Sequence, residues 1–172
     1  MPPDACSIRK ALPADAEKLA DAERAIAKLP GRLASRPHEL RDEAFREKIL
    51  KLSKSNSGIY LVVEDKGGIV GHALLDPLDL EVTAHVVRLT IAIHEGFEGM
   101  GYGKTLMTEL IAWSVSNAAL EKIELQVRSS NERAIALYKR FGFVEEGRKI
   151  KRLKLGPDRY LDDVYMALWV GP

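Results

Sequence analysis

The chain has 172 residues, of which 46% are hydrophobic and 30% charged, with 26 Lys and Arg against 25 Asp and Glu. That length fits one domain over residues 1–172, large enough to bury roughly two-thirds of the surface its unfolded form exposes, so no disulfide or metal staple is required. The composition excludes disordered, collagen-like and membrane classes, and a net charge of +1 supplies no global field to gather nucleic acid or an anionic membrane.

Cys6 is the one cysteine, which rules out an internal disulfide and fits a reducing compartment. Met1-Pro2-Pro3-Asp4-Ala5 has no basic segment leading into an apolar one, and no apolar run approaches ~18 residues. A cytoplasmic protein is the expectation. Ser7 to Lys10 reads as a short strand, and Pro13-Ala14-Asp15 opens a helix that fades near Leu29 and stops at Pro30-Gly31. After a loop from Arg32 to Pro37, Leu40, Ala44, Phe45 and Ile49 fall at helical spacing, which predicts a second helix from about His38 to Ser53.

Ile59 to Val63 is a strand core, closed by Lys66-Gly67-Gly68 and answered by Ile69 to Leu75, the pattern of a hairpin. A further strand runs from about His85 to Ile93. A helix follows over roughly Gly101 to Asn117, with Leu106, Met107, Leu110 and Trp113 on one face. Lys122 to Arg128 reads as a buried strand, Ser129-x-x-Glu132 fits a capping box, and Asn131 to Arg140 forms the last helix before Phe141-Gly142-Phe143. The tail from Val144 to Val170 gives two strands around Gly156-Pro157-Asp158. The order β, α, α, β, β, β, α, β, α, β, β implies an α/β chain with a mixed sheet and helices on both faces.

The chemistry concentrates at Glu98-Gly99-Met100-Gly101-Tyr102-Gly103-Lys104-Thr105, between a strand and a helix. Glycines on alternate positions let the backbone turn with positive φ and approach a ligand, while the first N–H groups of the helix face its negative charge. Position 98 is Glu98, so the nucleoside-triphosphate pattern G-x-x-x-x-G-K-[ST] fails, and no dinucleotide G-x-G-x-x-G is completed. Downstream, Asn131 and Tyr138 lie seven residues apart on one helix, sharing a face about 10 Å apart along the axis. Taken singly, Asn131 reads as a helix cap and Tyr138 as half-buried core.

Ile91 to Gly103, with Asn131-Glu132-Arg133-Ala134-Ile135-Ala136-Leu137-Tyr138 and Phe141-Gly142-Phe143, resembles the Gcn5-related N-acetyltransferase (GNAT) family, and the element order extends the likeness over nearly the whole chain. The resemblance implies a mostly antiparallel central sheet, α+β by some schemes, and acetyl-CoA as cosubstrate. Its cradle has the form [QR]-x-x-G-x-[GA]. Gly101 and Gly103 match the glycines, whereas Glu98 replaces the Gln or Arg.

By the same resemblance, main-chain amides of Gly99, Met100, Gly101, Gly103 and Lys104 would grip the diphosphate. Ile91 and Ile93 would pair with the pantetheine arm, Asn131 would hold it, and Tyr138 would protonate the departing thiolate. Many relatives carry a Glu base where this chain has Arg88, which leaves His85 and Glu81 as weaker candidates. An imidazole has the reference range of a base at neutral pH, but the odd offset of His85 from Arg88 turns it to the opposite face of the strand unless a bulge intervenes, which leaves the base unassigned.

The tail from Glu145 to Met166 looks most like the branch acting on amino acids and similar small amines. Protein N-termini or lysines are the runner-up acceptors, and a non-catalytic CoA-binding module is the reading of another class. The loop from Leu29 to Pro37 and the hairpin tip near Gly156 would border the acceptor. The basic run Arg148 to Lys154 reads as a solvated strand face rather than a nucleic-acid site. His38, His72, His85 and His94 show no ligand spacing, so no metal is expected. Neither nucleic acid nor membrane is an expected partner, and a homodimer remains open.

Overall fold

The computed structural model describes residues 6–171, so Met1–Ala5, read above for a leader pattern, lies outside the described residues. Its strands are β1 (Ser7–Lys10), β2 (Ile59–Asp65), β3 (Gly68–Pro77), β4 (Val86–Ile93), β5 (Lys122–Arg128), β6 (Val144–Gly156) and β7 (Arg159–Trp169). They form one seven-stranded sheet in the order β1-β2-β3-β4-β5-β7-β6. Every neighbouring pair is antiparallel except β4 and β5. The helices are α1 (Ala16–Ala27), α2 (Asp42–Ser53), α3 (Tyr102–Ser116) and α4 (Glu132–Arg140).

The order expected from sequence is the order found. Two boundaries moved for local reasons. Pro13–Asp15 forms a separate 3-10 turn ahead of α1. Pro37–Glu39 likewise makes its own 3-10 turn, and Leu40 is extended, so α2 begins only at Asp42. Lys66 and Gly67, at φ of 49° and 81°, make the two-residue turn between β2 and β3. Positive φ at both central residues matches the twist of a hairpin, and Gly68 already belongs to β3.

Residues 59–63 of β2 are all buried, as expected of a strand covered on both faces. One layer packs Leu61, Leu75 and Leu89 against Leu106, Met107 and Leu110 of α3. The other packs Tyr60, Val62 and Leu74 against Leu19 of α1 and Ile49 of α2. Arg9 ties the α1 side to the sheet edge by donating to Asp15 at 2.7 Å and to Glu64 at 2.8 Å. That guanidinium holds the Asp15 carboxyl below the usual carboxylate range.

The capping box at Ser129 is not formed. Asn131 caps α4 instead, its Oδ1 accepting from the Ala134 amide at 3.3 Å, while Ser129 Oγ accepts from the Asp162 amide of β7 at 3.2 Å. Glu132 sits at the first position of α4, so it cannot reach back three residues to close a box.

Two departures from regular pairing shape the site. β4 and β5 pair only over Val86–Arg88 and Lys122–Glu124. Beyond Arg88 the strands diverge, leaving the β5-facing edge of β4 without a partner strand. In β6 the register slips between Lys149 and Leu153, which oppose Asp163 and Leu161, so two extra residues are looped into the strand. Lys151 there has φ of 52° and donates its amide to Asp162 at 2.8 Å. A bulge of this kind turns side chains out of simple alternation.

Candidate active site

The divergence of β4 from β5 opens a cavity of about 470 Å³. Ile91, Ala92 and Ile93 of β4 form one wall, Asn131, Leu137 and Tyr138 another, and Ile26, Leu29 and Leu33 a third. The glycine turn closes one end with Gly99, Gly101, Gly103 and Lys104. Of the residues singled out in the sequence, the structure therefore gathers Ile91, Ile93, Gly99, Gly101, Gly103, Lys104, Asn131 and Tyr138.

Gly101 is the N-cap of α3 at φ of 95°, in the left-handed region, and as a glycine it has no side chain to cap the helix. The first amides of α3 are thus left for a ligand, with the positive end of the helix dipole behind them. A methyl group at Gly99 would stand 2.5 Å from Arg133 Nη2, which puts the Arg133 guanidinium directly over the turn. Glu98, the departure from the family pattern, bends back to accept from the Gly96 amide at 2.9 Å. Its carboxylate is occupied by its own loop.

Tyr138 is 7% exposed, with its ring against Phe143 at 5.9 Å between centroids. Burial pushes its phenol well above the ordinary tyrosine range, against a smaller opposing effect from Arg128. The group is therefore a protonated donor at neutral pH. Asn131 spends its carbonyl oxygen on the cap, which leaves its amide donors to face the cavity. The bland reading of Asn131 as a cap is correct, and it coexists with a place in the cavity wall.

His85 and Glu81 are not brought in. Met100 belongs to the turn with its side chain 49% exposed, which leaves its main-chain amide, the group expected to bind, in the turn. His85 precedes β4 at the end away from the cavity, with its ring 6.4 Å from Trp169 and its carbonyl accepting from the Glu121 amide at 2.9 Å. Glu81 sits in an exposed 3-10 turn before that. The reason is the direction of β4: the cavity lies along Ile91 to Ile93, whereas both candidates lie at the strand's start.

A second cavity of about 460 Å³ adjoins the first, with Leu29 and Leu33 lining both. It lies between the loop after α1, the end of β5 and the β6–β7 hairpin. Arg36, Arg128, Arg152 and Lys154 line it, with Asp163 as the carboxylate. Arg128 Nε stands 2.7 Å from Asp163 Oδ1, so that pair is neutralised and the remaining lining is cationic. The basic run is largely solvated, as expected, but the β6 bulge brings Arg152 and Lys154 into this lining. Arg32, Arg36, Arg128 and Arg133 were missed as site residues, because they come from the loop after α1, the end of β5 and the start of α4, which are far apart in the chain.

The sequence profile of the Acetyltransferase (GNAT) family matches residues 23–143. The chain is 33% identical over 101 residues to the L-amino acid N-acetyltransferase AaaT of Escherichia coli, covering 59% of this chain and 62% of that protein. It is 30% identical over 127 residues to the spermidine N(1)-acetyltransferase of Vibrio cholerae, covering 73% and 71%. A GNAT-family acetyltransferase structure from Streptococcus pneumoniae superposes with a TM-score of 0.86 at 25% identity, over 96% of this chain and 99% of that one. The fold of the Salmonella typhimurium acetyltransferase yncA, solved with acetyl-CoA, gives 0.86 at 20% identity, over 98% and 96%. With the profile spanning most of the sheet and the glycine turn seated where the strands part, the chain belongs to the GNAT family of acetyltransferases.

Proposed function

We propose that the protein transfers the acetyl group of acetyl-CoA directly to the primary amine of a small carboxylate-bearing molecule, an amino acid or a close analogue. The observation that carries this reading is the junction of two unlike cavities. An apolar cleft ends on open helix amides, and a cationic pocket begins at the shared Leu29 and Leu33 wall, with Tyr138 and Arg128 near the meeting point.

The residues present fit acetyl-CoA. The amides at the start of α3, with Lys104 and Arg133, suit its diphosphate, and the unpaired edge of β4 beside Ile91 and Ile93 suits an extended arm bearing amides. Ile93 N–H polarises the acetyl carbonyl in this reading, and Asn131 steadies the arm. When bound, acetyl-CoA supplies an activated acyl group on a thiol leaving group. As the acceptor nitrogen forms its bond to the acetyl carbon and the carbon–sulfur bond breaks, Tyr138 gives its proton to sulfur. The nearby Arg128 stabilises the phenolate until the proton now surplus on nitrogen restores the phenol.

The two relatives are named for opposite acceptors, one for L-amino acids and one for spermidine. The cationic lining of the second cavity favours the former, since a polyamine would meet like charge there. Thiol release with glutamate, a neutral amino acid and spermidine tests this. The anionic acceptor is expected to be at least tenfold better than spermidine in kcat/KM. A preference for spermidine would overturn the acceptor class. Uptake of CoA without thiol release from any amine would favour the non-catalytic binding module suggested by Glu98 and Arg88.

A further inference from the structure

His72 lies in the middle of β3 and is completely buried. Its Nε2 is 2.9 Å from Glu23 Oε1 of α1, and its Nδ1 is 3.0 Å from Nε2 of His94, just past β4. His94 Nδ1 in turn stands 3.0 Å from the Ile69 carbonyl. The contacts run in a line rather than converging on a point, so the set is a proton chain and not a metal site.

Counting protons along the line fixes its state. The Ile69 carbonyl can only accept, so His94 Nδ1 carries a proton. Burial, and then the neighbouring His72, push His94 down to about 4, which keeps it neutral with a bare Nε2. That nitrogen must accept from His72 Nδ1–H. His72 Nε2 and Glu23 Oε1 would then meet lone pair to lone pair at 2.9 Å unless a further proton lies between them. The Glu23–His72 pair in this geometry therefore holds one proton more than a carboxylate beside a neutral imidazole. Without that proton, it is a base.

The pair also lies beside the cleft. His72 is the direct β3 partner of Ala92 on β4, and Ala92 lines the cavity. Ile26, which lines it too, is one helical turn beyond Glu23 on the same face of α1, and the Glu23 side chain retains 12% exposure. From β2, Tyr60 faces His72 with ring centroids 5.9 Å apart and its hydroxyl buried without a partner among the described residues. Burial, and then Glu23 and Asp15, hold that phenol protonated, so it does not compete as a base. From α2, the edge of Phe45 faces the imidazole.

We propose that Glu23 and His72 together accept the proton that the acceptor ammonium must lose, with His94 as a positioning residue that fixes the His72 ring. This rests on the amine acetylation proposed above. Starting from the form that lacks the extra proton, the pair takes one proton from the ammonium, across a bridging water, at the Glu23 carboxylate, and then holds it between Oε1 and Nε2. The neutral amine then forms the N–C bond while the C–S bond breaks, and the proton taken by the pair returns to solvent. The assignment supplies a base to a chain whose β4 carries Arg88 where the family resemblance leads one to expect Glu.

The test compares Glu23→Gln and Glu23→Asp with the native chain on two acceptors over a range of pH. One is a basic primary amine, and the other is a weakly basic amine that is already neutral at the assay pH. CoA uptake is followed by calorimetry in parallel. Glu23→Gln is expected to lose about 10²-fold or more in kcat/KM on the basic amine and less than threefold on the weakly basic one. Glu23→Asp should restore part of the loss with a displaced pH limb, and it serves alone if Glu23→Gln does not fold. An equal loss on both amines, or no loss on the basic one, would overturn the proton-accepting role and leave acetyl transfer standing. A native chain that takes up CoA but acetylates neither amine would instead sink the proposed function, and this inference with it.

Discussion

The two ends of the cleft are built by different means. At the glycine turn the exposed polar groups are main-chain amides, presented by Gly99, Gly101 and the first turn of α3 and clustered within a few residues of one another. At the opposite end they are side chains: Arg36 from the loop after α1, Arg128 from the end of β5, Arg152 from the bulge in β6 and Lys154 just beyond it. A site made of backbone tolerates changes of side chain, as the diversion of Glu98 onto Gly96 illustrates. A site made of side chains from separate elements is easily re-specified by single substitutions. The chain's relatives are named for acceptors as different as an amino acid and spermidine.

The most severe break falls where the two ends meet. Tyr138→Phe retains the ring that packs on Phe143 but removes the protonated phenol, so kcat should fall about 10²–10⁴-fold while CoA uptake by calorimetry stays within twofold. Loss of binding together with turnover would show Tyr138 to be part of the cofactor grip rather than the proton donor.

Gly101→Ala attacks the backbone end alone. A Cβ at φ of 95° costs about 1–2 kcal/mol, so either the turn flattens or the helix start shifts, and CoA affinity should weaken roughly tenfold with the acceptor preference unchanged. A changed ranking of amines would mean that the two ends are mechanically coupled.

Arg152→Glu attacks the side-chain end alone, and its effect is the smallest because the residue is exposed and screened. The ratio of anionic to cationic acceptors in kcat/KM should fall roughly fivefold with CoA affinity unaltered. An unchanged ratio would remove the second cavity from acceptor selection.

Much of this molecule could be read directly from the chain. The order of all eleven strands and helices, the hairpin at Lys66-Gly67 and the glycine turn are local patterns, and local patterns survive in a one-dimensional record. Asn131 and Tyr138 were also legible, because helical periodicity places them on one face. The failures share a cause. Ser129 looked like a cap, but a strand 33 positions away claims its hydroxyl. His85 looked near enough to serve as a base, yet the direction of β4 carries it to the wrong end.

The sequence alone determined the alternation of elements, the glycine turn and the phenol behind it, since each depends on residues close together in the chain. Only tertiary structure decided where β4 parts from β5, how the β6 bulge directs Arg152 into a pocket, and that Glu23, His72 and His94 stand in line. Strand register and helix docking bring those groups together, and both are set by burial of apolar faces contributed by the whole chain.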